Sequence, residues 1–393
     1  MRYIERQISS ELISLANSFP VVSIIGPRQS GKTTLVRHIF SHKEYVTLED
    51  PDIREFAEED PRAFLNKFPN GAILDEIQRL PKLLSYIQGI VDNSNTNGMW
   101  ILTGSNQILL HSKINQSLAG RTAIVKLLPL SMAELSNSDI NLDINEYLFN
   151  GFYPRIYSNN INPYRLYSNY YSTYVEKDIR QIINLKDATL FQKFMKLCAG
   201  RVGQLFNASQ LANEVGVSVP TIKSWLSILE TSFIIFMLPP WYDKISKRLI
   251  KSPKLYFYDV GLATHLLGIR NTRHIETHPL RGNIFENLVI GELVKKFYNH
   301  GVNPDIYFYR DNHGNEVDVI IPDGDKIIPI EIKSSQTYHS SFSKGINYIK
   351  QLLTERVNKS YIIYSGEWQQ EINSTKLINY KSIYNEIEVS GDF

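Results

Sequence analysis

Three short stretches of this 393-residue chain set residue types at spacings that can do chemistry. In the first, "GPRQSGKTT", Gly26, Gly31, Lys32 and Thr33 fill the pattern G-x-x-x-x-G-K-[ST]. Its glycines let backbone N–H groups close around phosphate oxygens where a helix begins. Gly26, Pro27, Arg28, Gln29, Ser30, Gly31, Lys32, Thr33 and Thr34 form the expected nucleotide loop. Lys32 would reach the β- and γ-phosphates of ATP, and the Thr33 hydroxyl would ligate Mg²⁺.

The second stretch, "GAILDEIQ", is an apolar strand ending in two acids. Asp75 would hold Mg²⁺ through water, and Glu76 would polarise the water that attacks the γ-phosphate. A further apolar run, "MWILTGSNQ", ends in Thr103, Ser105 and Asn106, and Ser105 is taken as a nucleotide contact that orients that water. Arg121, just before another apolar strand, is a candidate arginine finger for the site of a neighbouring subunit. That role requires a homo-oligomer; the alternative is an ordinary surface ion pair.

The third stretch, "NEVDVIIPDGDKIIPIEIKSS", carries acids and a lysine in two alternating runs. Strand side chains alternate faces, so Glu316 and Asp318 share one face and Glu331 and Lys333 share another. Packing of the apolar faces would bring Asp318, Glu331 and Lys333 together at the edge of a small sheet. Oxygen donors of this kind suit Mg²⁺ or Mn²⁺ at Asp318 and Glu331, and the lysine would position water for phosphodiester attack. The competing reading is the wet face of a half-exposed hairpin.

The elements that must position these groups follow from the flanking sequence. "FPVVSII" before the glycine loop and "LVRHIF" after it read as strand, loop and helix. Residues 145–190 are rich in tyrosine and asparagine and then helical; the aromatics are read as packing in a small helical lid, where Arg155 is a weak nucleotide-sensing candidate. "SQLANEV", Gly216 and "TIKSWLSILETS" form a helix-turn-helix pattern, and the following residues to 259 read as a two-stranded wing. Between residues 190 and 255 nine basic residues (Lys193, Lys196, Arg201, Lys223, Lys244, Lys247, Arg248, Lys251, Lys254) face three acidic ones (Glu214, Glu230, Asp243), a local charge of about +6. Such a patch suits the phosphate backbone of DNA, although the same module also serves as packing between domains. "RGNIFENLVIGELVKKF" reads as a helix with Ile284, Leu288 and Val289 on its inner face and Glu286 among its acids.

Composition bounds these readings. With 43% hydrophobic and 21% charged residues the chain is of soluble globular type, and its length calls for two or three domains. One cysteine, Cys198, excludes an intrachain disulfide and fits a reducing, cytoplasmic compartment. No signal pattern opens the chain, and "SFIIFMLPPW" is too short and proline-broken to span a bilayer, so no membrane partner is expected. A net charge of +2 means that any nucleic-acid surface must be local.

The order acid, x12, Glu-x-Lys resembles the PD-(D/E)xK nuclease superfamily, in which Asp318, Glu331 and Lys333 would fill the motif and Glu286 the acidic helix position. Through "GPRQSGKTTL", "LDEIQRLP", "LTGSN", "SLAGR", "PLSMAEL", "KSPKLYFYDVGLATHLLG", "GNIFENLV", "NEVDVIIP" and "IEIKSS", the whole chain resembles prokaryotic AAA-type P-loop ATPases. In that family a Walker domain is paired with a winged helix and a PD-(D/E)xK-like domain of unknown function. The resemblance implies an α/β fold in four parts: a parallel-sheet ATPase domain over 1–135, a helical lid over 136–190, a winged helix-turn-helix over 191–255 and an α/β nuclease-like domain over 256–393. It implies an ATP-hydrolysing protein that engages DNA and carries a nuclease-like domain. The alternative is a nucleotide-switched DNA- or protein-binding module whose nuclease-like domain is silent.

Overall fold

The computed structural model describes residues 3–94, 96–104, 118–175, 188–242 and 251–388. The chain divides into two compact units: Met1–Leu130 with Thr231–Phe233 and Tyr298–Val302, and Ser131–Glu230 with Ile234–Phe297 and Asn303–Phe393. Segments 136–190, 191–255 and 256–393, separated in the sequence reading, fall almost wholly in the second unit.

The first unit is built on a five-stranded parallel sheet of β1 (Val21–Ile25), β2 (Glu44–Thr47), β3 (Ala72–Asp75), β4 (Trp100–Gly104) and β5 (Thr122–Lys126), in the order β2-β3-β4-β1-β5. Every residue of β1, β3 and β4 is buried. Such continuous burial is what a parallel strand covered on both faces requires, and it explains why these strands read as unbroken apolar runs. Val22, Ile24, Ile73, Ile101 and Val125 pack with Leu12, Leu35 and Val36 of the flanking helices to form the core. The parallel registry aligns the carboxyl ends of β1, β3 and β4, so the loops that leave them converge.

In the second unit a six-stranded mixed sheet runs β12-β13-β11-β10-β9-β8. Its strands are β8 (Tyr307–Arg310), β9 (Glu316–Asp323), β10 (Lys326–Lys333), β11 (Tyr361–Tyr364), β12 (Gln370–Ile372) and β13 (Thr375–Asn379). Strands β9 and β10 form an antiparallel hairpin with Val319 opposite Ile330. They are interior strands: β11 pairs parallel with β10, and β8 covers β9. The sequence reading put this hairpin at a sheet edge, because the short runs "YIIY" and "TKLIN" that extend the sheet were not read as strands.

Ahead of the sheet lie helices Ala208–Val215 and Val219–Thr231, separated by Gly216 in the left-handed conformation (φ 91°). They lead into the antiparallel pair β6 (Ile235–Leu238) and β7 (Lys254–Phe257). The tyrosine-rich segment is packed: Tyr147, Phe152, Tyr153, Tyr167 and Tyr170 are all buried. The Tyr167 hydroxyl donates to Asp259 Oδ1 (2.6 Å), and the Phe152 and Leu262 amides donate to the same carboxylate at 2.7 and 3.0 Å. Gly151 is obligatory there, because a Cβ would lie 2.0 Å from the Tyr167 oxygen at a φ of 61°.

Buried Asn287 ties helix Arg281–Asn299 to β7. The Asn287 amide accepts from Phe257 N (2.7 Å) and donates to Phe257 O (2.9 Å), closing both backbone groups of that strand residue. Asn287→Ala leaves a buried N–H and C=O unpaired, so we expect a loss of ~2–3 kcal/mol in urea unfolding; an unchanged midpoint would contradict this.

Candidate functional site

The glycine loop starts where β1 ends. Gly26 (φ 156°) lies against β5, and a Cβ there would come 2.1 Å from the Leu127 carbonyl oxygen, so no larger residue fits. Gln29 (φ 63°) and Gly31 (φ 94°) take left-handed conformations, the alternation that turns successive N–H groups into an anion-binding nest. Gly31 caps helix Lys32–Ile39, whose amino terminus adds its dipole. Buried Arg6 supports the loop from behind, donating to Ser30 O (2.8 Å) and Leu128 O (2.7 Å).

Within the loop Lys32 is buried, and its Nζ donates to the carbonyls of Gly26 (3.0 Å) and Pro27 (2.8 Å). Burial lowers its pKa to about 8, against the opposing pull of Glu76 and Asp75. Ser30 Oγ is buried without a hydrogen-bond partner, a polar atom left unmet inside the cradle. Gln29 and Thr34 are exposed, and Arg28 is half-buried.

Asp75, at the end of β3, is the centre of a hydroxyl cluster. Thr33 Oγ1 donates to its two oxygens at 3.2 and 3.0 Å, Tyr45 OH donates to Oδ2 at 2.7 Å, and the Thr103 hydroxyl from β4 donates to Oδ1. Burial and the hydrogen bond to Asp75 raise the Tyr45 pKa, so this phenol stays a donor. All three partners are neutral hydroxyls. Glu76 follows in a left-handed conformation (φ 57°), which turns it out of the strand; Gln78 Nε2 donates to its carboxylate.

These residues fit a nucleoside triphosphate with Mg²⁺. The nest and Lys32 would hold phosphate oxygens, while Thr33 and Asp75 offer oxygen donors already converged. Bound Mg²⁺ would neutralise charge developing on the phosphates. Of the other sequence candidates, Ser105 and Asn106 lie outside the described residues. Arg121 precedes β5 and its carbonyl accepts from Val21 N, at the start of β1. It therefore sits at the end of the sheet opposite the phosphate loop, roughly 15 Å away along a five-residue strand. Its guanidinium is paired with Asp92. It has no place in the nucleotide site of its own chain.

The second unit gathers its charged residues on the inner strands. Lys333 Nζ lies 2.5 Å from Glu331 Oε2 and 3.3 Å from Asp318 Oδ2, and Asp318 also accepts from Ile332 N (2.7 Å). Strand alternation thus brings Asp318, Glu331 and Lys333 together, both acids buried. Burial works against charge on each acid. Lys333, Lys254 and the Ile332 amide overcome it at Asp318 and hold its pKa low, whereas burial and neighbouring Asp318 push Glu331 well up.

Glu286 does not complete this group as an open ligand. Its Oε1 is held by Lys254 Nζ (3.1 Å) and by the Tyr256 hydroxyl, both from β7. Lys254 also meets Glu316 Oε1 at 2.6 Å, and Arg310 takes the other Glu316 oxygen at 3.0 Å. The sequence reading counted Lys254 in a solvent-facing basic patch; it is 2% exposed. Its side chain is turned inward onto Glu286 and Glu316, with Asp318 close by. Among the described residues no group of three or more His, Cys, Asp or Glu side chains is arranged to hold a metal ion.

Comparison with known proteins agrees with the first site and is silent on the second. Residues 18–136 match the AAA domain family, and residues 141–273 and 281–383 match two domains of unknown function, DUF8612 and DUF4143. The Mycobacterium tuberculosis uncharacterized protein Rv2008c is 28% identical over 374 residues, covering 94% of this chain and 82% of its own. A Haemophilus influenzae uncharacterized protein is 23% identical over 403 residues, covering 94% and 95%. Of solved structures, the Walker-type ATPase paby2304 of Pyrococcus abyssi is 17% identical, covers 67% of this chain and 96% of its own, and superposes with a TM-score of 0.45. The family match and the loop geometry make residues 18–136 a P-loop ATPase domain of AAA type. No helix among the described residues is long and apolar enough to cross a membrane.

The acidic centre has no room to spare where helix Lys344–Leu352 crosses it. A Cβ on Gly345 would lie 2.1 Å from Glu331 Oε1 and 2.2 Å from the Glu316 carbonyl oxygen. Gly345→Ala should cost ~1–3 kcal/mol through overpacking, read as a lower urea midpoint with ATP binding unchanged.

Proposed function

We propose that this protein binds ATP with Mg²⁺, hydrolyses it, and uses the cycle to control engagement of DNA. The observation that carries the first part is the convergence of Thr33 on Asp75 at 3.0–3.2 Å beside buried Lys32, with Glu76 turned out immediately after. In this reading Lys32 and the loop amides hold the β- and γ-phosphates and Thr33 with Asp75 holds the metal. Glu76 orients and deprotonates the attacking water, and Thr103, through Asp75, keeps that carboxylate aimed.

The second part rests on the two-helix turn and the β6–β7 pair, which we read as a winged helix. Lys223 is exposed there, Lys251 just before β7 and Lys193 and Lys196 on the preceding helix Ala188–Ala199, while Arg201 is paired with Glu214 at 2.5 Å. Lys244, Lys247 and Arg248 lie outside the described residues. Four exposed lysines suit phosphate contacts whose strength falls steeply with salt. We read the sheet that carries Asp318, Glu331 and Lys333 as nuclease-like in fold and silent in cleavage, because its acids are already bound by lysines.

ATP turnover and duplex-DNA binding by the full chain test this. Lys32→Ala should abolish ATP binding, whereas Glu76→Gln should retain it and slow turnover by about 10²- to 10⁴-fold. The trapped Glu76→Gln–ATP state should differ from the ATP-free protein in DNA affinity, and Lys223→Glu should weaken DNA binding in both. Turnover that survives Lys32→Ala would remove the enzymatic half; DNA affinity indifferent to salt and to Lys223→Glu would remove the other.

A further inference from the structure

The carboxylates of the second unit are too many and too buried to remain unneutralised, and a lysine from a different element solves the problem. Glu286 on helix Arg281–Asn299, Glu316 and Asp318 on β9, and Glu331 on β10 form a continuous acidic centre. Lys254 reaches into it from the first position of β7, with Nζ 3.1 Å from Glu286, 2.6 Å from Glu316 and 5.4 Å from the centroid of the Phe308 ring. On the other side Lys333 spans Asp318 and Glu331, and Arg310 closes Glu316 from the rim. Four acids thus meet three basic groups, and burial together with neighbouring Asp318 pushes the Glu331 pKa well up. Glu286, Asp318 and Glu316 all hold the Lys254 ammonium in its charged form.

A divalent cation in such a centre needs carboxylate oxygens free to converge at about 2.0–2.1 Å. Here one oxygen of Glu286, one of Asp318 and both of Glu316 already accept N–H bonds, and an added dication would have to share the space with a buried ammonium. We infer that Lys254 takes the place of a divalent cation among Glu286, Glu316 and Asp318, making the acidic centre an ionic clasp that ties the β6–β7 pair to the sheet. The clasp rests on its own geometry; the reading of the sheet as nuclease-like enters only in naming the cation displaced. β7, which the clasp anchors, pairs with β6, the strand that follows the proposed DNA-binding helices, so the same contact fixes that module against the sheet.

Removing the ammonium should open a cation site that the native protein lacks. Thermal unfolding of the nucleotide-free full chain, with millimolar Mn²⁺ or with EDTA, tests this. Wild type and Lys254→Arg should melt at the same temperature in both. Lys254→Ala should melt roughly 10 °C lower in EDTA, as expected when a buried pair loses one partner. Mn²⁺ should then restore part of that loss in Lys254→Ala, but not in Lys254→Ala/Asp318→Asn. Cation binding at Asp75 would be insensitive to Asp318→Asn and is told apart in this way. Two results would overturn the inference: wild-type stabilisation by Mn²⁺ that disappears in Asp318→Asn, or a Lys254→Ala protein that Mn²⁺ does not stabilise. Should Lys254→Ala not fold, the wild-type and Asp318→Asn arms decide alone, a matching response to Mn²⁺ and EDTA supporting the clasp. ATP turnover, read in parallel, reports on the first site only, so failure there leaves this outcome separate.

Discussion

Burying a carboxylate at the end of a strand costs several kcal/mol unless its oxygens find partners, and the choice of partner decides what the carboxylate can still do. Asp75 and Asp318 are both buried on sheet strands, and each accepts hydrogen bonds from its neighbours. Asp75 is held by hydroxyls of Thr33, Tyr45 and Thr103, all neutral donors. Asp318 is held by the Ile332 amide and the Lys333 ammonium, with Lys254 close behind, and its charge is spent inside the protein. Hydroxyls can turn aside for a cation; an ammonium competes with it.

Much of the architecture follows from serving these two acids. The parallel sheet order β2-β3-β4-β1-β5 puts the Walker strand β3 beside β4, so that Thr103 can reach Asp75, and puts β1 next to β4, so that the phosphate loop opens over both. In the second unit, Asn287 locks helix Arg281–Asn299 to Phe257, three residues beyond Lys254, and this sets Glu286 opposite the lysine. Gly345 then allows a helix to close over Glu331.

The parts of this arrangement that depend on local spacing were legible in the sequence. The phosphate loop needs glycines and a lysine at fixed offsets because backbone N–H groups and one side chain must meet a single phosphate, and Gly26, Gly31 and Lys32 stand where that geometry requires. Alternation along β9 and β10 placed Asp318, Glu331 and Lys333 on one face, since the period of a strand is two. Groups supplied from a distance were not legible. Arg6 behind the loop, Tyr45 on Asp75 and Lys254 in the acidic centre reach their partners across tertiary packing, and nothing in "KSPKLYFYD" distinguishes an inward lysine from a DNA-facing one. Arg121, a candidate finger for a neighbouring subunit, is carried by the parallel registry of β5 with β1 to the end of the sheet away from the phosphate loop of its own chain.

The central claim is that the two buried acidic centres differ in kind, one open to a divalent cation and one closed by lysine. Counting Mn²⁺ by electron paramagnetic resonance on the wild-type chain saturated with a non-hydrolysable ATP analogue tests it most directly. The account predicts a single tightly held Mn²⁺ per chain, coupled to the nucleotide phosphates and lost in Asp75→Ala. A second tightly held ion that survives Asp75→Ala and is lost in Glu331→Gln would contradict it.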